Sequence, residues 1–325
     1  MDPVRVLFLL FIFFCFGILA EINLNEETID IEPSDYDYLR NLKNSVTPIK
    51  LGTFGHLSRT KTPKYTVIFM HGFVMRSETF YPLTNKFFVR LVRHLDHYDQ
   101  SYSNNVQLIA PNWHKEFIPY SEQVPQEMIS AFRSGRPDPK QYLLQTVSII
   151  AFINSLLRRG VIHSLEFTGI HGNCLGGIIG IAASLGLRSN LGAVAICSSA
   201  LFHPDLIRRK ILRRSCLKAS FLIIQAEGDQ LIYPKFSTVT EAVLKEWGAR
   251  NVILHKSKGA HFPVMAKHLY TGFRFIASAL CKRPEIFRLE DSYNKKLIEM
   301  TKRRVEDITT IVSIVENETN MKSKL

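Results

Sequence analysis

The chain has 325 residues, 46% hydrophobic and 22% charged, which excludes wholesale disorder and supplies the apolar side chains for a sizeable core. Its formal net charge of +12 suits nucleic acid or an anionic membrane surface. The basic residues are scattered, as in RRKILRR at 208–214, and no nucleic-acid-binding motif accompanies them, so nucleic acid is set aside and peripheral membrane contact through the basic surface stays open.

Residues 1–20, MDPVRVLFLLFIFFCFGILA, stand apart from the rest. Val6 to Ala20 is 15 residues without charge. That suits the apolar core of a secretory signal and falls short of the roughly 20 residues a membrane span needs. Cleavage after Ala20, ahead of the acidic EINLNEE, sends the chain to the secretory pathway, secreted or in the endoplasmic reticulum lumen. The alternative is a membrane anchor formed by residues 6–20. Next comes a polar N-terminal extension, 21–64, in which TPIKLGTFGH can hold a strand.

From Tyr65 short apolar runs alternate with helical stretches. The runs are TVIFMHG (66–72), VQLIAPN (106–112), LEFTGIHG (165–172), AVAICSS ahead of Ala200, FLIIQAEG (221–228) and NVILHKS (251–257). Each is nearly continuous in apolar residues, as strands covered on both faces should be. Between them SETFYPLTNKFFVRLVRHL, QYLLQTVSIIAFINSLLRR, LGGIIGIAASLGL, FSTVTEAVLKEWG and VMAKHLYTGFRFIASALCK read as amphipathic helices. The pattern predicts an α/β domain over 65–282, a mostly parallel sheet with helices on both faces.

Residues 113–140 form a long insertion after the strand end Pro111-Asn112. Loops beyond the carboxyl ends of strands build ligand sites in open α/β sheets, which makes the insertion a candidate lid with Trp113 and Phe117 lining a substrate pocket. The competing reading is a surface helix, QEMISAFRSG, packed away from the site. Residues 283–325 read as a charged helical tail with an apolar stripe in VEDITTIVSIVE and a glycosylation sequon at Asn317-Glu318-Thr319. Five cysteines are present, and the spacing of Cys174, Cys197, Cys216 and Cys281 resembles neither a metal site nor a disulfide framework. Cys197 reads as a small buried hydrophobe, Cys216 and Cys281 could pair, and no metal or cofactor is expected.

The informative segment is LEFTGIHGNCLGG: a strand, then G-x-C-x-G, then a Gly-rich helix. This is the nucleophile elbow of the α/β-hydrolase fold with cysteine in the serine position. Gly172 and Gly176 are small so that strand and helix can approach, and Cys174 falls at the helix N-terminus, where the dipole favours a thiolate. The fold's order of nucleophile, acid, histidine is met by Asp229, just past a strand end, and by His261, in the loop after the next strand. The backbone N–H groups of Leu175 and Phe73 are the candidate oxyanion donors. His71 and His171 read as structural.

The stretch GNCLGG closely resembles the elbow of the dienelactone hydrolase family, whose members use a Cys-Asp-His triad. VIFMHGF, GDQLIYP and GAHF look like that family and its relatives, the carboxylesterases and acyl-protein thioesterases. The resemblance covers roughly Tyr65 to Lys282. It implies triad roles for Cys174, Asp229 and His261. It does not carry over the family's substrate side chains, and Asn173 stands where an aromatic residue is usual. The function it implies is hydrolysis of a small-molecule or lipid acyl ester or thioester through an acyl-thioester intermediate. The alternatives are a catalytically inactive binding protein of the same fold and a cysteine-dependent acyltransferase.

Overall fold

The computed structural model describes residues 25–30, 50–56, 63–72, 88–95, 97–98, 102, 105–112, 126–287 and 289. The expected signal segment, most of the C-terminal tail, Phe73, Trp113 and Phe117 lie outside the described residues.

In chain order the strands and helices are β1 (Asn25–Asp30), β2 (Lys50–His56), β3 (Tyr65–Met70), α1 (88–95), β4 (Val106–Asn112), α2 (Gln126–Ser134), α3 (Pro139–Arg158), β5 (Thr168–Asn173), α4 (Leu175–Ser184), β6 (Ala193–Cys197), α5 (Pro204–Lys210), β7 (Ser220–Ala226), α6 (Pro234–Trp247), β8 (Asn251–Ser257) and α7 (His261–Cys281). The eight strands form one sheet in the order β1-β2-β4-β3-β5-β6-β7-β8. Both pairings of β2 are antiparallel and the pairings from β4 to β8 are parallel, so β2 alone runs against the rest. All six apolar runs recognised in the sequence become strands of the parallel part. Two further strands come from the stretch 21–64: TPIKLGTFGH supplies β2, and the polar NEETID supplies β1, paired with β2 from Asn25↔Gly55 to Asp30↔Lys50.

The central strands are apolar because both their faces are covered. Every residue of β3, β5 and β6 is buried. A side chain added at Gly169 would strike Ile276 of α7, and one added at Gly172 would strike Gly177 of α4. Side chains alternate along a strand, and these positions are three apart, so α7 and α4 lie on opposite faces of the sheet. Helix α3, with fourteen buried residues from Tyr142 to Leu156, backs α4; Asp138 caps it by accepting from the Gln141 N–H at 2.7 Å.

Helix α7 begins at His261, three residues earlier than the apolar periodicity from Val264 indicates. Pro263 lies in the first turn, where a missing N–H costs no helical hydrogen bond. The catalytic-histidine candidate therefore opens a helix instead of sitting in a loop. No disulfide joins Cys216 to Cys281: both are buried thiols, and Cys216 Sγ instead lies 3.1 Å from the Leu187 carbonyl.

Candidate active site

Cys174 stands between β5 and α4 with φ 51° and ψ −126°, a conformation a non-glycine residue holds only when its surroundings dictate it. Its N–H donates to the Cys197 carbonyl at 3.0 Å, and its carbonyl accepts from Ser199 Oγ at 2.8 Å. The expected elbow glycines have steric reasons to be glycines. A Cβ on Gly172 would run into the backbone of Gly176 and Gly177, and a Cβ on Gly176 into the carbonyls of Met70 and His71. Strand β3 and its following turn thus press directly on the elbow, and a Cβ on Gly72 would stand 3.2 Å from that of Cys174.

Asp229 and His261 reach the same place from β7 and from the start of α7. Oδ2 of Asp229 lies 2.7 Å from Nδ1 of His261. Oδ1 accepts the backbone N–H groups of Leu231 and Ile232 at 3.0 and 2.9 Å, and Gln225 Nε2 donates to Oδ2 at 3.2 Å. Cys174, Asp229 and His261 are 5%, 3% and 5% exposed, so their charges act on one another with little screening by water.

The ring of His261 shows the result. Burial alone would lower its pKa; Cys174 beside it and the Asp229 hydrogen bond overcome burial and raise it to about 10. With Nδ1 bonded to Asp229, Nε2 is buried and without a hydrogen bond of ordinary geometry. That leaves one ring nitrogen fixed by the acid and the other available to the sulfur and to a reacting group.

The remaining buried histidines differ. Burial lowers His71 and His171 to about 4, leaving both neutral at ordinary pH. His171 Nε2 meets the Leu269 carbonyl at 3.1 Å, and His71 Nδ1 meets that of Gly72 at 2.9 Å, the structural parts read for them. Burial also pushes the Cys197 thiol far up, which makes it an inert neighbour of the site.

Of the candidate oxyanion donors, Leu175 is described. It is the first residue of α4, and its N–H takes part in no hydrogen bond among the described residues. The described part of the insertion packs at the carboxyl ends of β6 and β7. Phe132 of α2 stacks on Phe202 at 6.4 Å, Arg133 Nε donates to the Gln230 carbonyl at 3.0 Å, and His203 Nε2 donates to that of Pro137 at 2.6 Å. The helix foreseen in QEMISAFRSG exists, and it sits beside the Asp229 loop, not remote from it. Sequence reading missed Gln225, Ser199 and Ser237, which link the acid to the elbow from inside. The visible signal was a glutamine in the middle of the apolar run FLIIQA.

No family model and no curated protein matches the chain. Among solved structures it is similar to a PEG-bound cold-adapted esterase from an Arctic intertidal metagenomic library, 11% identical over 80% of this chain and 96% of that one, with a TM-score of 0.50. SOBER1 from Arabidopsis thaliana is 18% identical over 68% of this chain and 99% of its own, with a TM-score of 0.49. Zea mays acyl-protein thioesterase 2 is 15% identical over 70% and 98%, with a TM-score of 0.46. At such identities the likeness is one of fold, and the fold is that of the α/β-hydrolases.

Proposed function

We propose that this α/β-hydrolase-fold chain is a carboxylic ester or thioester hydrolase that works through an acyl-thioester on Cys174. The observation that carries the reading is the buried His261 ring, bonded through Nδ1 to Asp229 at 2.7 Å and raised to about 10 with Cys174 as the leading cause that favours its charge. A nucleophile, a base and an orienting acid in hydrogen-bonded sequence are the parts acyl transfer requires.

The thiolate of Cys174 attacks the substrate carbonyl carbon. A C–S bond forms, and the carbonyl π electrons move onto oxygen. The Leu175 N–H, with Phe73 as the second donor the sequence indicates, holds that oxyanion. When the tetrahedral intermediate collapses, Nε2 of His261 gives its proton to the leaving alkoxide or thiolate. His261 then takes a proton from water, whose oxygen attacks the acyl-thioester; the C–S bond breaks, releasing the acid and restoring the thiolate and imidazolium. Asp229 stays ionised throughout and keeps the Nδ1–H directed inward.

The test is turnover of p-nitrophenyl acetate, with mass spectrometry of the quenched, digested protein to find an acetyl group on the peptide containing Cys174. Turnover with the acyl adduct supports the reading; turnover of the Cys174→Ala variant at the wild-type rate contradicts it.

Two accompanying readings rest on sequence. Entry into the secretory pathway through residues 1–20 predicts a mature chain that begins near Glu21. Contact with an anionic membrane is supported by exposed Arg208, Arg209, Lys210 and Arg214, and is checked by co-sedimentation with phosphatidylserine vesicles at low and high salt.

A further inference from the structure

Gln225 is fully buried in β7, four residues before Asp229, on no surface that a substrate reaches. Its Nε2 stands 3.2 Å from Asp229 Oδ2, 3.0 Å from the Ala226 carbonyl and 3.1 Å from the Ile232 carbonyl. Two N–H bonds thus serve three acceptors, which span the loop that presents Asp229. Oε1 accepts from Ser237 Oγ of α6. The amide can face only this way round, because the reverse would set its oxygen against three acceptors. Ser237 Oγ also lies 3.1 Å from the Ser199 carbonyl, and Ser199 Oγ donates to the Cys174 carbonyl at 2.8 Å. A chain of buried polar contacts therefore leaves Asp229 and returns to the backbone of Cys174 without touching His261.

We propose that Gln225 is a positioning residue that fixes the rotation of the Asp229 carboxylate, so that Oδ2 and not Oδ1 receives the Nδ1–H of His261, and that it ties this carboxylate to the elbow through Ser237 and Ser199. The inference rests on the triad reading. Oδ1 is already committed to the Leu231 and Ile232 N–H groups, so the carboxylate has one oxygen left for the ring. Gln225 Nε2 donates to that same oxygen. Buried networks of this kind orient reacting groups when every member is satisfied.

The test compares Gln225→Leu, Gln225→Glu and Ser237→Ala with wild type and Cys174→Ala. In Gln225→Leu, kcat on p-nitrophenyl acetate falls on the order of tenfold or more, KM moves by less than about threefold, and the NMR titration midpoint of His261 moves down. Ser237→Ala, which leaves Nε2 in place, loses only a few-fold. Gln225→Glu keeps the shape and puts a second carboxyl beside Asp229. Two carboxyls at one site hold a proton to higher pH, so its kcat/KM profile gains an ionisation absent from wild type. This variant decides the matter should Gln225→Leu fail to fold. A lowered Tm with unchanged kcat, unchanged His261 titration and an unchanged pH profile in folded variants makes Gln225 a packing residue and overturns the proposal. Full activity in Cys174→Ala instead overturns the triad reading itself.

Discussion

His261 Nδ1 meets Asp229 Oδ2 at 2.7 Å across 32 residues of chain, and both side chains are buried. The bond closes a path from the end of β7 to the start of α7 and decides which ring nitrogen carries its proton inward. Asp229→Asn keeps the volume but offers an amide that can present an N–H to Nδ1, which reverses the tautomer. We expect kcat on p-nitrophenyl acetate to fall roughly a thousandfold or more with the fold retained. A loss below about tenfold would show that the acid does not orient the base.

Cys174 also sets the proton on His261. Burial, the largest single influence, lowers the ring, and Cys174 leads the causes that together raise it to about 10. The ring is charged below that pH and neutral above it. Cys174→Ala removes that influence and leaves burial opposed by Asp229 alone, so the midpoint moves down. An NMR titration of the imidazole resonances measures it, and an unmoved midpoint would separate the two side chains.

Cys174→Ser tests the nucleophile's chemistry rather than its place. A hydroxyl must lose its proton during attack, whereas the imidazolium beside it is arranged for a thiolate. Turnover on the order of a hundredth of wild type or less is expected. Wild-type turnover would mean that the site works as an ordinary serine hydrolase.

Gly176→Ala tests the packing that makes the elbow. The added methyl meets backbone carbonyls of Met70 and His71, which cannot turn aside as a side chain can. Destabilisation of about 2 kcal/mol or more follows, read as a fall in Tm with loss of turnover. Unchanged Tm would place β3 farther from the elbow than the structure does.

The insertion is tested by changing Trp113 and Phe117 together to alanine and measuring a chain-length series of acyl esters. A shift in chain-length preference is expected; a fixed preference with lowered stability would make the insertion purely structural.

Much of this was legible in the sequence because the central strands are buried on both faces and carry nearly continuous apolar runs, from Tyr65–Met70 to Ser220–Ala226. The elbow was legible because G-x-C-x-G is a short contiguous pattern, although the steric demand on Gly176 comes from Met70 and His71, far away in the chain. Strand β1 was not, since NEETID is a polar stretch with no apolar alternation to mark it. Helix α5 was not, because seven residues with Ile207 alone buried leave no periodicity. The part of Gln225 was hidden for another reason. Its partners Ile232 and Ser237 lie beyond the strand, and only the folded turn brings them under one amide.

The most direct measurement is iodoacetamide labelling at neutral pH with each modified cysteine mapped by peptide mass spectrometry. Burial pushes the thiols of Cys197 and Cys216 up, so neither should react quickly. Rapid modification of Cys174, ahead of Cys197 and Cys216, is expected, with turnover lost in step. Labelling spread evenly over the cysteines, or turnover that survives complete modification of Cys174, would contradict it.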